Sequence, residues 1–158
     1  MSEIRATAGQ MSGAGRRFGL VAARFNGRLV EALLAGAVDA LLRHGVAAED
    51  LHVVRVPGAW ELPQALGELA ARGDVAALVA LGVVVRGETP HFDYICRESA
   101  RGIAEVARQY RLPVGFGVLT CESSQQAAER AGGKAGNKGA EAALAALEMA
   151  DLFARLRA

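Results

Sequence analysis

The chain is 158 residues long, 52% hydrophobic and 22% charged, with a formal net charge of +1 at pH 7. This size and composition predict one folded domain over residues 1–158 and exclude a largely disordered chain. The balanced charge argues against a dedicated nucleic-acid or membrane surface. No apolar stretch reaches the roughly 18 residues of a membrane-spanning helix, and the polar N-terminus shows no secretory signal. With only two cysteines, a disulfide framework is excluded, and we expect a cytoplasmic protein.

Strand-like and helix-like segments alternate along the chain after residues 1–16, an arm that we expect to be loosely ordered or packed on a neighbouring subunit. The predicted strands are Phe18–Ala23, Leu51–Val56, Val75–Val85 and Pro113–Thr120. The predicted helices cover about 27–44, with Asn26 as candidate N-cap, and about 60–71, 92–110, 124–131 and 139–156. Because the strands are apolar nearly end to end, we predict an α/β fold, a flavodoxin-like three-layer α/β/α sandwich with a four-stranded parallel sheet.

Unusual residues occur at or near the ends of all four predicted strands. They are Arg24–Asn26, Pro57–Glu61, Arg86–His91, and Phe116 with Thr120 and Cys121. In a parallel sheet these ends share one rim, where α/β folds bind ligands. Aromatic planes beside a carboxylate and an imidazole suit a flat, polar heterocycle. Any βα turn needs turn residues, however, so a purely structural explanation stays open.

His91 is a candidate general acid–base, because histidine is the side chain whose unperturbed pKa lies closest to neutral pH. A histidine in a loop can also be merely solvated. The turn before it, Gly87–Thr89, offers free backbone N–H groups near a helix N-terminus, which is a natural cradle for an anion. The sequence therefore predicts proton transfer beside an anion site. His91 and Cys96 have no metal-ligand partners at useful spacing, so we expect no metal.

A cationic segment begins at Arg130 and continues through the glycine-rich residues 132–139, which include Lys134 and Lys138. Arginine and lysine around a glycine loop bind phosphate readily. The segment is not a Walker A loop, because Asn137 replaces the required glycine and no Ser or Thr follows Lys138. A hinge between two helices with solvated charges explains the pattern equally well.

Five ordered motifs together resemble the 6,7-dimethyl-8-ribityllumazine synthase family over about residues 18–156. The motifs are Ala23–Asn26, Val56–Pro63, Leu81–Phe92, Pro113–Val118 and Glu129–Gly139. The resemblance implies a transferase that catalyses the penultimate step of riboflavin biosynthesis. It would condense 5-amino-6-(D-ribitylamino)uracil with 3,4-dihydroxy-2-butanone 4-phosphate, release phosphate and water, and use no metal or organic cofactor.

The resemblance also implies roles for individual residues, with His91 as the catalytic proton shuttle. Substrate binding would involve Phe25, Ala59, Trp60, Glu61, Val83, Val84, Val85, Phe116 and Lys138, and phosphate binding would involve Glu88, Thr89 and Arg130. Glu88 would act through its backbone N–H, since its carboxylate would repel phosphate. Phe116 and Arg130 resemble residues that reach the site from an adjacent subunit.

Assembly is implied in the same way. The family forms pentamers, and in some members twelve pentamers form an icosahedral 60-subunit shell; riboflavin synthase is a further candidate partner. The compact link Gly132–Gly139 and the arm without proline resemble the shell-forming type. The alternative is a non-catalytic protein on the same fold that binds flavin or lumazine or forms a shell.

Overall fold

Four parallel strands form the centre of the fold, and helices cover both faces of the sheet. The computed structural model describes residues 2–158. Its strands are β1 (Phe18–Ala23), β2 (Leu51–Val56), β3 (Ala77–Val85) and β4 (Val114–Cys121). Its helices are α1 (Gly27–Arg43), α2 (Leu62–Arg72), α3 (His91–Tyr110), α4 (Ser124–Arg130) and α5 (Lys138–Arg157). A ribbon of β5 (Ala131–Gly133) and β6 (Gly136–Asn137) joins α4 to α5, and 3-10 turns cover Ala48–Asp50 and Ala59–Glu61.

The sheet separates two apolar cores. Phe18 and Leu20 of β1 pack with α1 and α5 on one face, whereas Val21 packs with α2 and α3 on the other. Alternate residues of a strand point to opposite faces, so a strand covered on both sides must be apolar nearly throughout. This arrangement confirms the predicted flavodoxin-like three-layer α/β/α sandwich. Among residues 2–158, no helix combines the length and the apolar character needed to cross a lipid bilayer.

The strand order is β2-β1-β3-β4, and all neighbouring strands run parallel. The chain moves from β1 to β2 on one side and then continues with β3 on the other side of β1. Loops that leave the carboxyl ends of β1 and β3 therefore diverge and open a crevice between them, which is the usual ligand position in open α/β sheets.

The main difference from the sequence-based expectation lies in the link between α4 and α5. We predicted no strand in this glycine-rich link, and the structure forms an antiparallel ribbon in which Ala131 pairs with Asn137 and Gly133 with Gly136. Gly136 has a φ of +83°, a conformation that glycine adopts at little cost. Strands of three and two residues are too short to show a periodic hydrophobic pattern, so the sequence does not reveal them.

The N-terminal segment contacts its own chain over residues 9–16. The backbone N–H of Gly13 donates to the carbonyl of His44 (2.8 Å), and that of Gln10 donates to the carboxylate of Asp151 (2.7 Å). We expected the whole arm to be loosely ordered or packed on a neighbour. These contacts tie its second half to α1 and α5, while residues 2–8 are exposed.

Asp151 is the buried carboxylate that holds this segment. It accepts hydrogen bonds from Arg155 Nε (2.6 Å) and Arg16 Nη1 (3.0 Å) as well as from the Gln10 N–H. The bond from Arg155 and then the bond from Gln10 hold the pKa of Asp151 well below its ordinary value. The charged form of Asp151 therefore stabilises the folded chain.

We predict that Asp151→Asn lowers the free energy of unfolding at pH 7. Because the pKa of Asp151 is lowered by folding, its contribution is complete above about pH 4 and is lost as the pH falls further. Urea unfolding should show a difference between wild type and variant at pH 7 that shrinks at about pH 3. A difference that grows on acidification would contradict this assignment. Asp39→Asn, in the exposed pair with Arg43, is the control and should change stability much less.

Candidate active site

Main-chain hydrogen bonds continue the sheet beyond the ends of β1 and β2. The N–H of Arg24 donates to the carbonyl of Val56 (2.8 Å), and the N–H of Phe25 donates to the carbonyl of Pro57 (2.9 Å). These bonds fix the Phe25 backbone beside the exit of β2. The Phe25 side chain itself is 72% exposed, so its ring is presented to solvent rather than to the core.

Asn26 joins the same turn to the end of β3. It occupies the position before α1 with φ +56°, in the left-handed region that asparagine tolerates better than most residues. We expected its side chain to cap α1. Instead the side-chain Nδ2 donates to the carbonyl of Val83 (2.8 Å), because the left-handed backbone directs the amide toward β3. The turn that carries Phe25 is thus tied to both neighbouring strand ends.

The crevice at these strand ends is a cleft of about 770 Å³, which we call the rim cleft. Its lining includes the predicted residues Phe25, Ala59, Trp60, Glu61, Val83, Val84, Val85, Thr89 and His91. The segments that follow β1, β2 and β3 therefore line one cleft, which is large enough for a small organic molecule. Trp60, like Phe25, is a largely exposed aromatic at its edge.

Glu61 lines the rim cleft and carries a carboxylate oxygen without a hydrogen-bond partner among the described residues. Its Oε2 is buried and has no hydrogen-bond partner within residues 2–158. A buried carboxylate oxygen normally has a partner, because leaving it unpaired costs free energy. A ligand with hydroxyl or N–H donors would satisfy it, so the cleft is suited to a polar molecule.

Sequence reasoning missed several residues that line the rim cleft. They are Phe92, Tyr94 and Ile95, whereas Pro57, Gly58 and Gly87 belong to the strand exits that we expected at this rim. Tyr94 and Ile95 could have been found from helical spacing, since α3 begins at His91 and residues three and four positions later lie on the same face. Glu88, also within the described part of the chain, is exposed and does not line the cleft, although Gly87 and Thr89 on either side do.

Arg86 fixes the start of the loop that leads to His91. Its N–H donates to the carbonyl of Cys121 (2.9 Å), and its Nε donates to Glu122 (2.7 Å), which raises the pKa of the Arg86 guanidinium. The guanidinium also lies 4.4 Å from the centroid of the Phe92 ring. These contacts connect β3, β4 and the first turn of α3, and so hold both ends of the loop between Arg86 and His91.

A second, smaller depression of about 340 Å³ contains the remaining predicted residues Phe116, Arg130 and Lys138; we call it the cationic cleft. No described residue lines both this cleft and the rim cleft, so within one chain Arg130 and His91 line different clefts. Cys121 also lines it. Burial raises the pKa values of the Cys121 and Cys96 thiols, which keeps both protonated near neutral pH and makes them poor nucleophiles.

Comparison with known proteins identifies the family. Residues 15–154 match the family model described as 6,7-dimethyl-8-ribityllumazine synthase. The chain belongs to this family. It is 54% identical over 149 residues to the 6,7-dimethyl-8-ribityllumazine synthase of Aquifex aeolicus, an alignment that covers 94% of this chain and 97% of the relative. The protein of the same name from Desulfovibrio desulfuricans is 51% identical over 148 residues, covering 94% and 95%. The part that matches the lumazine synthase family includes both clefts.

Two substitutions at Asn26 separate the stability contributed by its side-chain hydrogen bond to Val83 from that contributed by its left-handed backbone conformation. Asn26→Ala removes the donor and leaves alanine in a left-handed conformation, so it should lower the free energy of unfolding by about 2 kcal/mol. Asn26→Gly removes the same donor, but glycine adopts that conformation freely, so the loss should be nearer 1 kcal/mol, or about one hydrogen bond. Urea unfolding measures both. Equal losses in the two variants would mean that the backbone conformation contributes nothing.

Proposed function

We propose that this chain is a transferase of riboflavin biosynthesis that forms 6,7-dimethyl-8-ribityllumazine from 5-amino-6-(D-ribitylamino)uracil and 3,4-dihydroxy-2-butanone 4-phosphate. Phosphate and water are the other products. The observation that carries the proposal is the family match over residues 15–154, which spans a cleft combining an aromatic ring, an unpaired carboxylate oxygen and an imidazole. Turnover of the two substrates tests the proposal.

The pyrimidine substrate is assigned to the rim cleft. Phe25 stacks on the pyrimidine ring, and the segments Ala59–Glu61 and Val83–Val85 hold the ring and the ribityl chain. The unpaired Oε2 of Glu61 supports this orientation, because a ribityl hydroxyl can donate to it. Trp60 contributes through its main chain and the exposed edge of its ring.

The phosphorylated substrate is assigned to the loop before α3. The backbone N–H groups of Glu88 and Thr89 cradle the phosphate near the N-terminus of α3, where the helix dipole favours an anion. Arg130 pairs with the phosphate and neutralises it as it leaves. Lys138 lies beside Arg130 in the cationic cleft and adds positive charge there.

His91 moves protons between the reacting atoms. The substrate amine attacks the ketone carbonyl, and water is lost to give an imine, which requires protons to move on and off oxygen and nitrogen. An imidazole serves both directions near neutral pH. The substrate brings its own nucleophile, so no nucleophilic side chain is required. Holding two substrates together in good geometry supplies an entropic advantage of roughly 7–11 kcal/mol.

The complete site is shared between two copies of the chain. Following the family resemblance, we assign Phe116 and Arg130 to the rim cleft of an adjacent subunit, and the absence of Arg130 from the rim-cleft lining of one chain supports this assignment. By the same resemblance we assign a homo-oligomer, a pentamer that can build a 60-subunit shell and associate with riboflavin synthase. Residues 1–158 act as one domain in the cytoplasm, with the exposed start of the arm packed on a neighbour.

We predict that the purified wild-type chain, given both substrates, produces the absorbance of the lumazine product, and that His91→Ala lowers kcat by about a hundredfold or more. The substitution removes the proton shuttle from an exposed position, so folding and assembly should be unchanged. Sizing chromatography checks assembly in parallel. His52→Ala, at another exposed histidine, is the control and should retain activity. Absence of turnover in the wild type would refute the enzyme assignment in favour of a binding protein.

Arg130→Ala should raise the KM for 3,4-dihydroxy-2-butanone 4-phosphate by at least about tenfold, because the phosphate loses a charged partner. The KM for the pyrimidine should change much less. An unchanged KM for the phosphorylated substrate would show that Arg130 does not bind phosphate.

Sharing of the site can be tested with the same two variants. Co-expressed His91→Ala and Arg130→Ala chains should recover activity in mixed oligomers, because about a quarter of the sites combine two intact contributions if the copies assort at random. Activity no higher than the sum of the separate variants would place both residues in one chain's site.

A further inference from the structure

Asn137 holds α5 against α1 through both ends of its side-chain amide. Its Oδ1 accepts from the N–H of Ala140 (3.0 Å), which caps α5, and its Nδ2 donates to the carbonyl of Ala32 in α1 (3.0 Å). An asparagine is needed for this arrangement, since one bond uses an acceptor and the other a donor. The start of α5 is therefore fixed relative to a helix on the outer layer of the fold.

Two glycines make the close approach sterically feasible. A Cβ at Gly36 would overlap the side-chain amide of Asn137, and a Cβ at Gly139 would overlap the carbonyl oxygen of Leu33. Gly36 lies in the interior of α1, where glycine is less favourable than alanine by about 1 kcal/mol. Its presence there is explained by the space that Asn137 occupies.

Arg130 and Lys138, the two cations of the cationic cleft, are sequence neighbours of the junction, by which we mean the contact of Asn137 with α1 and Ala131. Asn137 pairs with Ala131 across the ribbon. Arg130 immediately precedes Ala131, and Lys138 immediately follows Asn137. The pairing of Ala131 with Asn137 therefore sets the distance between the backbones of Arg130 and Lys138. Their side chains make only local contacts. Arg130 Nη1 donates to the carbonyl of Gln126 (3.0 Å) and lies 3.7 Å from Glu129 Oε2, and Lys138 Nζ pairs with Glu141 (2.8 Å).

We propose that Asn137, in the space left by Gly36, is a positioning residue that sets the spacing of Arg130 and Lys138 and thereby the affinity of the cationic cleft for phosphate. The proposal rests on the proposed function, which gives the cleft a phosphorylated substrate. Asn137 acts through the two cations and does not itself touch the substrate. Gly36 has an effect on the cleft although it lies in a different helix from both cations.

The test uses two variants that disturb the junction in different ways. Asn137→Ser keeps a side-chain acceptor suited to cap α5, is too short to donate to the Ala32 carbonyl, and adds no charge beside the two cations. Gly36→Ala leaves Asn137 unchanged but adds a methyl group where its amide lies. Gly67→Ala is the matched control, because it is also a glycine inside a helix and its added Cβ would make an ordinary contact of 3.9 Å with Val106.

In Asn137→Ser and Gly36→Ala we expect the KM for 3,4-dihydroxy-2-butanone 4-phosphate and the inhibition constant of inorganic phosphate to rise together by about tenfold, which corresponds to one well-placed charged contact. The KM for the pyrimidine should stay within about twofold, since α1 and α5 do not line the rim cleft. Gly67→Ala should match the wild type in all three constants. Should one junction variant fail to fold, the other gives the same comparison.

Unchanged phosphate constants in an active, folded variant with a lower thermal midpoint would overturn the proposal, because Asn137 would then serve stability alone. A wild type without turnover would instead refute the proposed function. In that case calorimetric titration of inorganic phosphate into wild type and Asn137→Ser still decides the positioning role, with weaker binding in the variant as the expected result and equal binding as the contrary one.

Discussion

The rim cleft depends on hydrogen bonds that extend the sheet past the ends of its strands. The N–H groups of Arg24 and Phe25 donate to the carbonyls of Val56 and Pro57, the Asn26 side-chain amide donates to the carbonyl of Val83, and the N–H of Arg86 donates to the carbonyl of Cys121. All four bonds engage main-chain carbonyls. Three of them also use a main-chain donor, so the loops are fixed largely by the backbone, and a side chain such as that of Phe25 is left to meet a ligand.

Much of the fold follows from the sequence, because burial on both faces forces strands to be apolar. The bounds of β1 and β2 agree with those expected from their apolar runs, and helices follow each strand as predicted. The parallel sheet then determines the location of the site. Phe25, Glu61 and His91 could be assigned to one rim because each follows a strand, and the carboxyl ends of parallel strands share an edge.

The features that the sequence does not reveal depend on single contacts in three dimensions. A hydrophobic pattern cannot show that Asn26 turns its amide toward Val83, since the same residue is an ordinary helix cap by type. The strands of the β5–β6 ribbon are too short to show a periodic hydrophobic pattern. The contact between Gly36 and Asn137 joins two uncharged residues about a hundred positions apart, and nothing in the sequence pairs them. Which cleft each cation lines likewise follows only from packing.

The proposed sharing of the site between two copies has a kinetic consequence. Under that proposal a solitary protomer holds the imidazole but lacks the partner's guanidinium, so it would dock ligands without completing turnover. Specific activity should then fall on dilution once subunits dissociate, and below that threshold the observed rate should vary with more than the first power of chain concentration. Newly synthesised copies would remain catalytically silent until they meet one another.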